Sequence, residues 1–272
     1  MTLTIVIPTY NEAQNLPKLI TALFSLSIDD LNVIVVDDNS PDGTGRVAER
    51  MIEAHPGQIS VMHRAGKLGL GTAYIRGFRQ ALDHGSQAIA QMDADLSHPP
   101  EMLLVLLDAL SSSDVAIGSR YVEGGSVDVN WSYRRKTLSA FGNYYARSIL
   151  GLPLRDATGG FKIWRRDTLL GMPLERVRAS GYAFQVEMAY IAYLLGYTFQ
   201  EEPFYFADRS LGRSKMSFRI QLEAAIRVLQ MRFDYRDLKY CDMNNRDMNN
   251  RDRNNRDRNN RDRNNRDRNN RP

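Results

Sequence analysis

A single cysteine, Cys241, is all the thiol chemistry in the 272-residue chain, which excludes an internal disulfide and suits a reducing compartment. Long apolar runs are missing too. None reaches the roughly 18–20 residues needed to cross a bilayer; Leu103–Leu107 is short, and Met188–Phe199 is broken by glycine and tyrosine. The N-terminal apolar stretch is only a strand's length and stops at Pro8, unlike a signal peptide. The expectation is a soluble or peripheral cytoplasmic protein. No G-x-G-x-x-G follows that stretch, which argues against a Rossmann-type dinucleotide site. The glycines of GLGTAY at 69–74 lack the G-K-[ST] of a P-loop, and helix–strand packing is their default reading.

A general excess of basic charge is also absent, despite a formal net charge of +4. Ten of the 36 basic residues and six of the 32 acidic ones lie in 242–272, leaving 26 of each sign elsewhere. The folded part therefore gives no reason to expect nucleic acid or another polyanion. That tail repeats DMNNR and then DRNNR up to Pro272 and holds almost nothing to bury, so 241–272 is expected to be disordered. A weak tether to an anionic membrane is the rival reading, with the interleaved Asp offsetting much of the attraction.

What is present is an alternation. Apolar, β-branched stretches at Leu3–Ile7, Val33–Val36, Ile59–Met62, Ala88–Met92 and Val115–Ile117 read as buried strands. Helical patterns separate them: Leu16–Phe24 with Asn15 and Pro17 at its start, then Thr44–Ala54, Gly71–Leu82 and Pro99–Leu110. This order predicts an α/β fold, a mostly parallel central sheet with helices on both faces, whose ligands bind beyond the carboxyl ends of the strands. Further on, Ser132–Leu150 and Tyr182–Leu195 read as helices and Thr198–Phe206 as a strand. Met216–Tyr240 reads as a long amphipathic helix, with Phe218, Leu222, Ala225, Leu229 and Phe233 in the stripe expected to pack on the domain. The rival is a helix lying in the membrane interface, its basic residues at the headgroups.

Asp93 and Asp95 stand where the fourth apolar stretch gives out. In an extended segment, side chains two apart project to the same side, so both carboxylates can reach one point past the strand. Such a pair suits Mg²⁺ or Mn²⁺, hard cations that take oxygen ligands and keep water and substrate phosphate as the others. A lone D-x-D is more often a helix cap in a solvated loop. Here two other strands end in polar segments on the same edge, IPTYNE with Pro8, Tyr10 and Glu12, and VVDDNSPDGT with Val36, Asp37 and Asp38. Turn chemistry accounts for either segment alone. Three acidic strand ends on one edge make a polar crevice that turns do not need.

Taken together, IPTYNEAQNLP (7–17), VVDDNSPDGT (35–44), GLGTAYIRGF (69–78), MDADLSHPPE (92–101), GSRY (118–121), TGGFK (158–162), GYAFQVEM (181–188) and DRSLGRSK (208–215) carry a resemblance. The chain resembles family 2 glycosyltransferases of the GT-A, Rossmann-like nucleotide-sugar fold, and within them the dolichol-phosphate (polyprenol-phosphate) mannose synthases. The likeness covers about residues 3–235. It implies a catalytic domain over 1–215 followed by the 216–240 helix. It implies mannose transfer, with inversion, from GDP-mannose to a dolichyl or polyprenyl monophosphate, and a Mg²⁺ or Mn²⁺ ion.

Residue by residue, the resemblance places Pro8, Tyr10, Glu12, Val36 and Asp38 around the nucleoside, and Asp93, Ala94 and Asp95 at the metal and donor diphosphate. Arg120, Arg209 and Lys215 neutralise phosphate, while Arg135 and Ser139 touch the acceptor phosphate. Asp93, Asp95 and Arg120 are the residues expected to carry catalysis. Where some relatives have Gln two residues after the second Asp, Ser97 stands here. Many relatives carry C-terminal transmembrane helices and none is visible here, so attachment to the cytoplasmic face of a membrane is expected through the 216–240 helix, an anchoring partner subunit or the tail. The alternatives are another donor, such as UDP-glucose, or a non-catalytic nucleotide-sugar-binding subunit. Of His55, His63, His84 and His98 only His98 lies near the site, with a structural role expected.

Overall fold

The computed structural model describes residues 1–208 and 218–238; the repeat tail lies outside them. The chain begins β1 (Leu3–Thr9), α1 (Leu16–Phe24), β2 (Leu31–Asp37), α2 (Thr44–Ala54), β3 (Ile59–His63), α3 (Leu70–Asp83), β4 (Ala88–Gln91), α4 (Met102–Leu110), β5 (Val115–Ser119). Each strand and helix expected in this half is present. Helix α1 opens with a proline in its first turn, where a missing N–H costs nothing, and buries Leu16, Leu19, Ile20 and Leu23 on one face. Then come β6 (Ser126–Val127), α5 (Tyr133–Leu150), β7 (Lys162–Arg165), α6 (Arg166–Gly171), α7 (Gly181–Leu194), β8 (Phe199–Pro203), β9 (Tyr205–Phe206) and α8 (Phe218–Asp234).

The main sheet has the order β3-β2-β1-β4-β7-β5-β8, and β6 pairs with β9 apart from it. All neighbours in the main sheet are parallel except β7, which runs against both β4 and β5. Side chains alternate between two cores. Leu3, Ile5 and Ile7 pack with Leu16, Leu19, Leu103 and Leu106 on one face, while Val6 joins Phe78, Phe184 and Trp164 on the other. Each fully buried Val, Leu or Ile contributes about 1.5–3 kcal/mol relative to exposure, so the strands can be short and apolar throughout. Among the described residues no helix is long and apolar enough to cross a membrane.

Two sequence expectations change, and one strand is unforeseen. Strand β7 is not legible as a strand, because KIWR has charged ends and no alternation. The stretch Thr198–Phe206 is two strands, parted at Phe204, that join different sheets. Helix α8 turns a different face inward: Val228, Met231 and Tyr235 are buried, whereas Leu222, Leu229 and Phe233 are exposed. The reason is Glu187 of α7, which is fully buried. It is ion-paired with Arg227 and accepts a hydrogen bond from Tyr235 Oη at 2.9 Å and from the amides of Arg178 and Ala179. Arg227→Met is expected to cost about 3 kcal/mol, because a buried carboxylate is left without its cation. The check is a lower urea midpoint at unchanged slope; a loss below about 1 kcal/mol would mean that Tyr235 and the two amides suffice.

Candidate active site

The parallel strands β1, β2, β4 and β5 end on one edge, and the polar segments lie there. The first two ends are laced together by turn chemistry. Thr9 Oγ1 donates to Asp37 Oδ1 at 3.0 Å, Asn11 N to Ser40 Oγ at 3.1 Å and Glu12 N to Thr44 Oγ1 at 2.9 Å. Glu12 Oε2 accepts from Asn15 Nδ2 at 2.8 Å. Asp37 is therefore a structural acid. Its neighbour Asp38 instead faces Arg64 Nη1 at 2.7 Å, with both side chains nearly buried. Burial pushes the Asp38 carboxyl above its usual range, against the pull of Arg64. Arg64 also donates to Gly69 O at 3.2 Å and to Thr72 Oγ1 at 2.6 Å. Lys67 Nζ sits 4.5 Å from the centre of the Tyr10 ring. So Tyr10, Glu12, Val36 and Asp38 meet at one end of the edge, and Arg64 and Lys67, which no motif singled out, complete it.

GLGTAY opens α3 rather than cradling a phosphate in P-loop fashion. A Cβ on Gly71 would lie 2.4 Å from the carbonyl oxygen of Ala179, so only glycine lets α3 come this close to the segment leading into α7.

Asp93 and Asp95 follow β4, but the extended geometry argued from their spacing does not persist. The chain turns at Ala94–Leu96, and Leu96 has φ of +63°, a region costly for a non-glycine residue. Asp93 stands just before that turn and Asp95 within it. Both act on the buried Tyr74, whose hydroxyl donates to Asp93 Oδ1 at 3.3 Å and whose pKa is raised first by burial and then by these acids. Ser97 is fully buried and caps Asp95, its N and Oγ donating to Oδ1 at 3.1 and 2.6 Å. His98 is buried and stacked on Phe161, and its Nδ1 accepts from Asp93 N at 3.1 Å. Burial lowers its pKa against the pull of Asp93 and Asp95, so the ring is neutral and structural.

Arg120, just after β5, is buried against Asp156. Its N and Nε donate to Oδ2 at 3.1 and 2.7 Å, and its Nη2 to Oδ1 at 2.8 Å and to Thr158 Oγ1 at 2.8 Å. Burial alone would lower its pKa, but Asp156 more than reverses this, and the guanidinium stays charged. Next in sequence, Tyr121 shares a 2.8 Å hydrogen bond with Ser139 of α5. Arg135 of the same helix stacks over Trp131 at 3.6 Å and donates to Asp208 at 2.9 Å. Tyr121 thus links Arg120 to Ser139, while Arg135 pairs with Asp208; Arg209 and Lys215 lie outside the described residues. Asp156, Tyr121 and Trp131 had no assigned role in the sequence, since their partners are distant along the chain.

The donor set of Asp93 and Asp95 is all carboxylate oxygen. Among the described residues no group of three or more His, Cys, Asp or Glu is arranged so that it could hold a metal ion by itself. That fits a hard divalent cation completed by water and phosphate, and not a closed cage.

A doubly covered sheet with an acidic carboxyl edge and a buried arginine beside it defines a nucleotide-sugar transferase, and the chain belongs to glycosyltransferase family 2, whose pattern matches residues 4–170. Within that family it is 44% identical over 227 residues to the polyprenol monophosphomannose synthase of Mycolicibacterium smegmatis, covering 83% of this chain and 85% of that one. It is 45% identical over 223 residues to the undecaprenyl-phosphate mannosyltransferase of Micrococcus luteus, covering 82% and 90%. In fold it is similar to a mannosyltransferase of Pyrobaculum calidifontis solved with GDP-Man and Mn²⁺. The TM-score is 0.56 at 19% identity, over 88% of this chain and 68% of that one. The GT-A fold expected from the motifs is therefore the fold present.

Proposed function

We propose that the protein transfers mannose from GDP-mannose to a dolichyl or polyprenyl monophosphate in one inverting, in-line displacement. The carrying observation is that Asp93 and Asp95, just past β4, and the buried Arg120, just past β5, lie on one edge of the sheet with only the antiparallel β7 between the two strands. The names borne by the two relatives supply the sugar and the lipid class. In this reading Pro8, Tyr10, Glu12, Val36 and Asp38 hold the nucleoside of GDP, and Asp93, Ala94 and Asp95 hold the diphosphate together with Mg²⁺ or Mn²⁺. Arg120, Arg135 and Ser139 receive the acceptor phosphate, and Arg209 and Lys215 add charge against phosphate.

When bound, the divalent ion neutralises charge on the departing diphosphate. The chain's own part is orientation and fixed charge. Arg120 is immobilised by Asp156 and needs no reorganisation as charge develops. The acceptor phosphate, with a second pKa near 6, is largely ionised at neutral pH. Its oxygen forms the bond to the anomeric carbon as the bond to GDP breaks, and no general base is required. His98 fits this, being buried and occupied by the Asp93 amide.

An acceptor with a lipid tail brings the enzyme to a membrane surface, and the proposed side is the cytoplasmic one. The exposed stripe Leu222, Ile226, Leu229 and Phe233 on α8, with Phe141 and Tyr144 on α5, supports peripheral attachment, aided or not by an anchoring subunit. Nucleic acid has no place in the reading. The test is mass-spectrometric detection of lipid-linked sugar from GDP-mannose, UDP-glucose and other donors with polyprenyl phosphates and Mg²⁺ or Mn²⁺. Mannose transfer from GDP-mannose is expected. Transfer from another donor only, or donor binding without turnover, would overturn the assignment.

A further inference from the structure

Strand β7 alone runs against its neighbours, and it lies between β4, which leads to Asp93, and β5, which leads to Arg120. Its amino end therefore sits at the edge where β4 and β5 finish, and the segment entering it, residues 156–161, spans the two functional groups. At one end of the segment, Asp156 and Thr158 grip Arg120. At the other, a Cβ built on Gly160 would stand 3.8 Å from Asp93 Oδ1 and 3.5 Å from His98 Cε1. The turn therefore reaches from the contacts of Arg120 to the neighbourhood of Asp93.

Two successive carbonyls of the turn are held from within the sheet. Lys162 Nζ donates to Gly159 O, and Gln91 Nε2 donates to Gly160 O at 3.0 Å. Both donors meet on one acceptor, Gln185 Oε1, which receives Lys162 at 3.2 Å and Gln91 as well. Gln91 Oε1 in turn accepts from Trp164 Nε1 at 2.9 Å. The register places Lys162 opposite Gln91 on β4 and opposite Ile117 on β5, one layer beneath the site. Lys162 and Gln91 have no exposed surface. Burying a lysine amine is expensive, and apolar side chains fill such a layer more cheaply. The surrounding network is satisfied, as a buried polar group requires, and what it holds is the backbone of the turn at the site.

We propose that Lys162 is a positioning residue of the transfer reaction: with Gln91 and Gln185 it fixes the Gly159–Gly160 turn that sets Asp93 and Arg120 at reacting distance from each other. The inference rests on the roles given to those two residues above. The lysine touches neither substrate and acts on alignment alone. Misplacement of reacting groups by about 1 Å costs on the order of 100-fold in rate.

The experiment compares full-length wild type, Lys162→Met and Lys162→Gln in steady-state mannose transfer from GDP-mannose to a short-chain polyprenyl phosphate with Mn²⁺. Methionine keeps the volume and removes the donors; the glutamine amide can still donate to Gly159 O. The methionine variant is expected to lose about 30- to 100-fold in kcat while both KM values stay within about threefold, the signature of lost transition-state alignment. The glutamine variant is expected to regain at least about fivefold of that loss. A methionine variant with kcat within about threefold of wild type, or a glutamine variant no better than it, overturns the proposal. Should Lys162→Met not fold, Gln185→Leu removes the shared acceptor and is expected to give the same loss confined to kcat; raised KM values with intact kcat would overturn the proposal. A wild type that transfers no mannose overturns the site assignment itself, an outcome distinct from an active wild type indifferent to Lys162.

Discussion

Asp95→Ala is expected to lower mannosyl transfer by about 1000-fold or more, since a metal-held leaving group is worth several kcal/mol and each 1.36 kcal/mol is tenfold. The side chain has a second duty that the variant also removes. Its Oδ1 accepts both the amide and the hydroxyl of Ser97, which has no exposed surface. Alanine leaves those donors without a partner, at about 1–3 kcal/mol of stability. Asp95→Asn separates the two effects: the amide oxygen still accepts from Ser97, while the charge that a divalent ion requires is gone. The asparagine variant should therefore unfold near the wild-type urea midpoint yet be almost as inactive as alanine. Turnover of either variant within about tenfold of wild type would remove Asp95 from the metal site.

Asp156→Ala is expected to be the most destabilising single change at the site, by about 3–5 kcal/mol, because it strands a buried guanidinium. Arg120 is 7% exposed and Asp156 not at all, so water cannot take the lost partner's place. The pair also carries a pH signature. Burial alone would raise the Asp156 carboxyl, but Arg120 more than reverses this and holds it below its ordinary value of 3.8, so in acid the unfolded chain binds the proton first. The stabilisation is complete above about pH 4 and is lost as pH falls through the lower folded value. Urea unfolding of the wild type at pH 7 and near pH 3 should show this loss, and the alanine variant should lack that share of it. A cost below about 1 kcal/mol at pH 7 would mean that Thr158 and water compensate for the missing carboxylate. Transfer should fall together with stability, since the same carboxylate immobilises Arg120.

Much of the site was legible because strand ends are legible. A buried parallel strand reads as a short apolar run, and the residues after it must lie at its carboxyl edge. Asp38 and Asp93 were placed in that way, whereas Arg120 was named only by the family resemblance that GSRY carries. The geometry inferred between Asp93 and Asp95 was not legible, since the turn at Leu96 replaces the extended segment their spacing implied. Lys162 was quoted within a motif but carried no role. A charged residue heading KIWR gives no periodic signal, and the antiparallel course of β7 is set by partners some 70 residues earlier, at Gln91, and by β5.

Helix α8 separates the two kinds of information most clearly. Its apolar residues form two helical stripes, 222–226–229–233 and 228–231–235, and a spacing of three to four is equally good for either. The sequence by itself determined that a helix forms there, that five parallel strands precede it, and that acids gather at their ends, because backbone periodicity and turn chemistry act over a few residues. Which stripe is buried, which acid meets Arg120, and what lies beneath Asp93 were decided only when Glu187, Asp156 and Lys162 were buried. A charged or polar group taken out of water must find its partner wherever in the chain that partner happens to be.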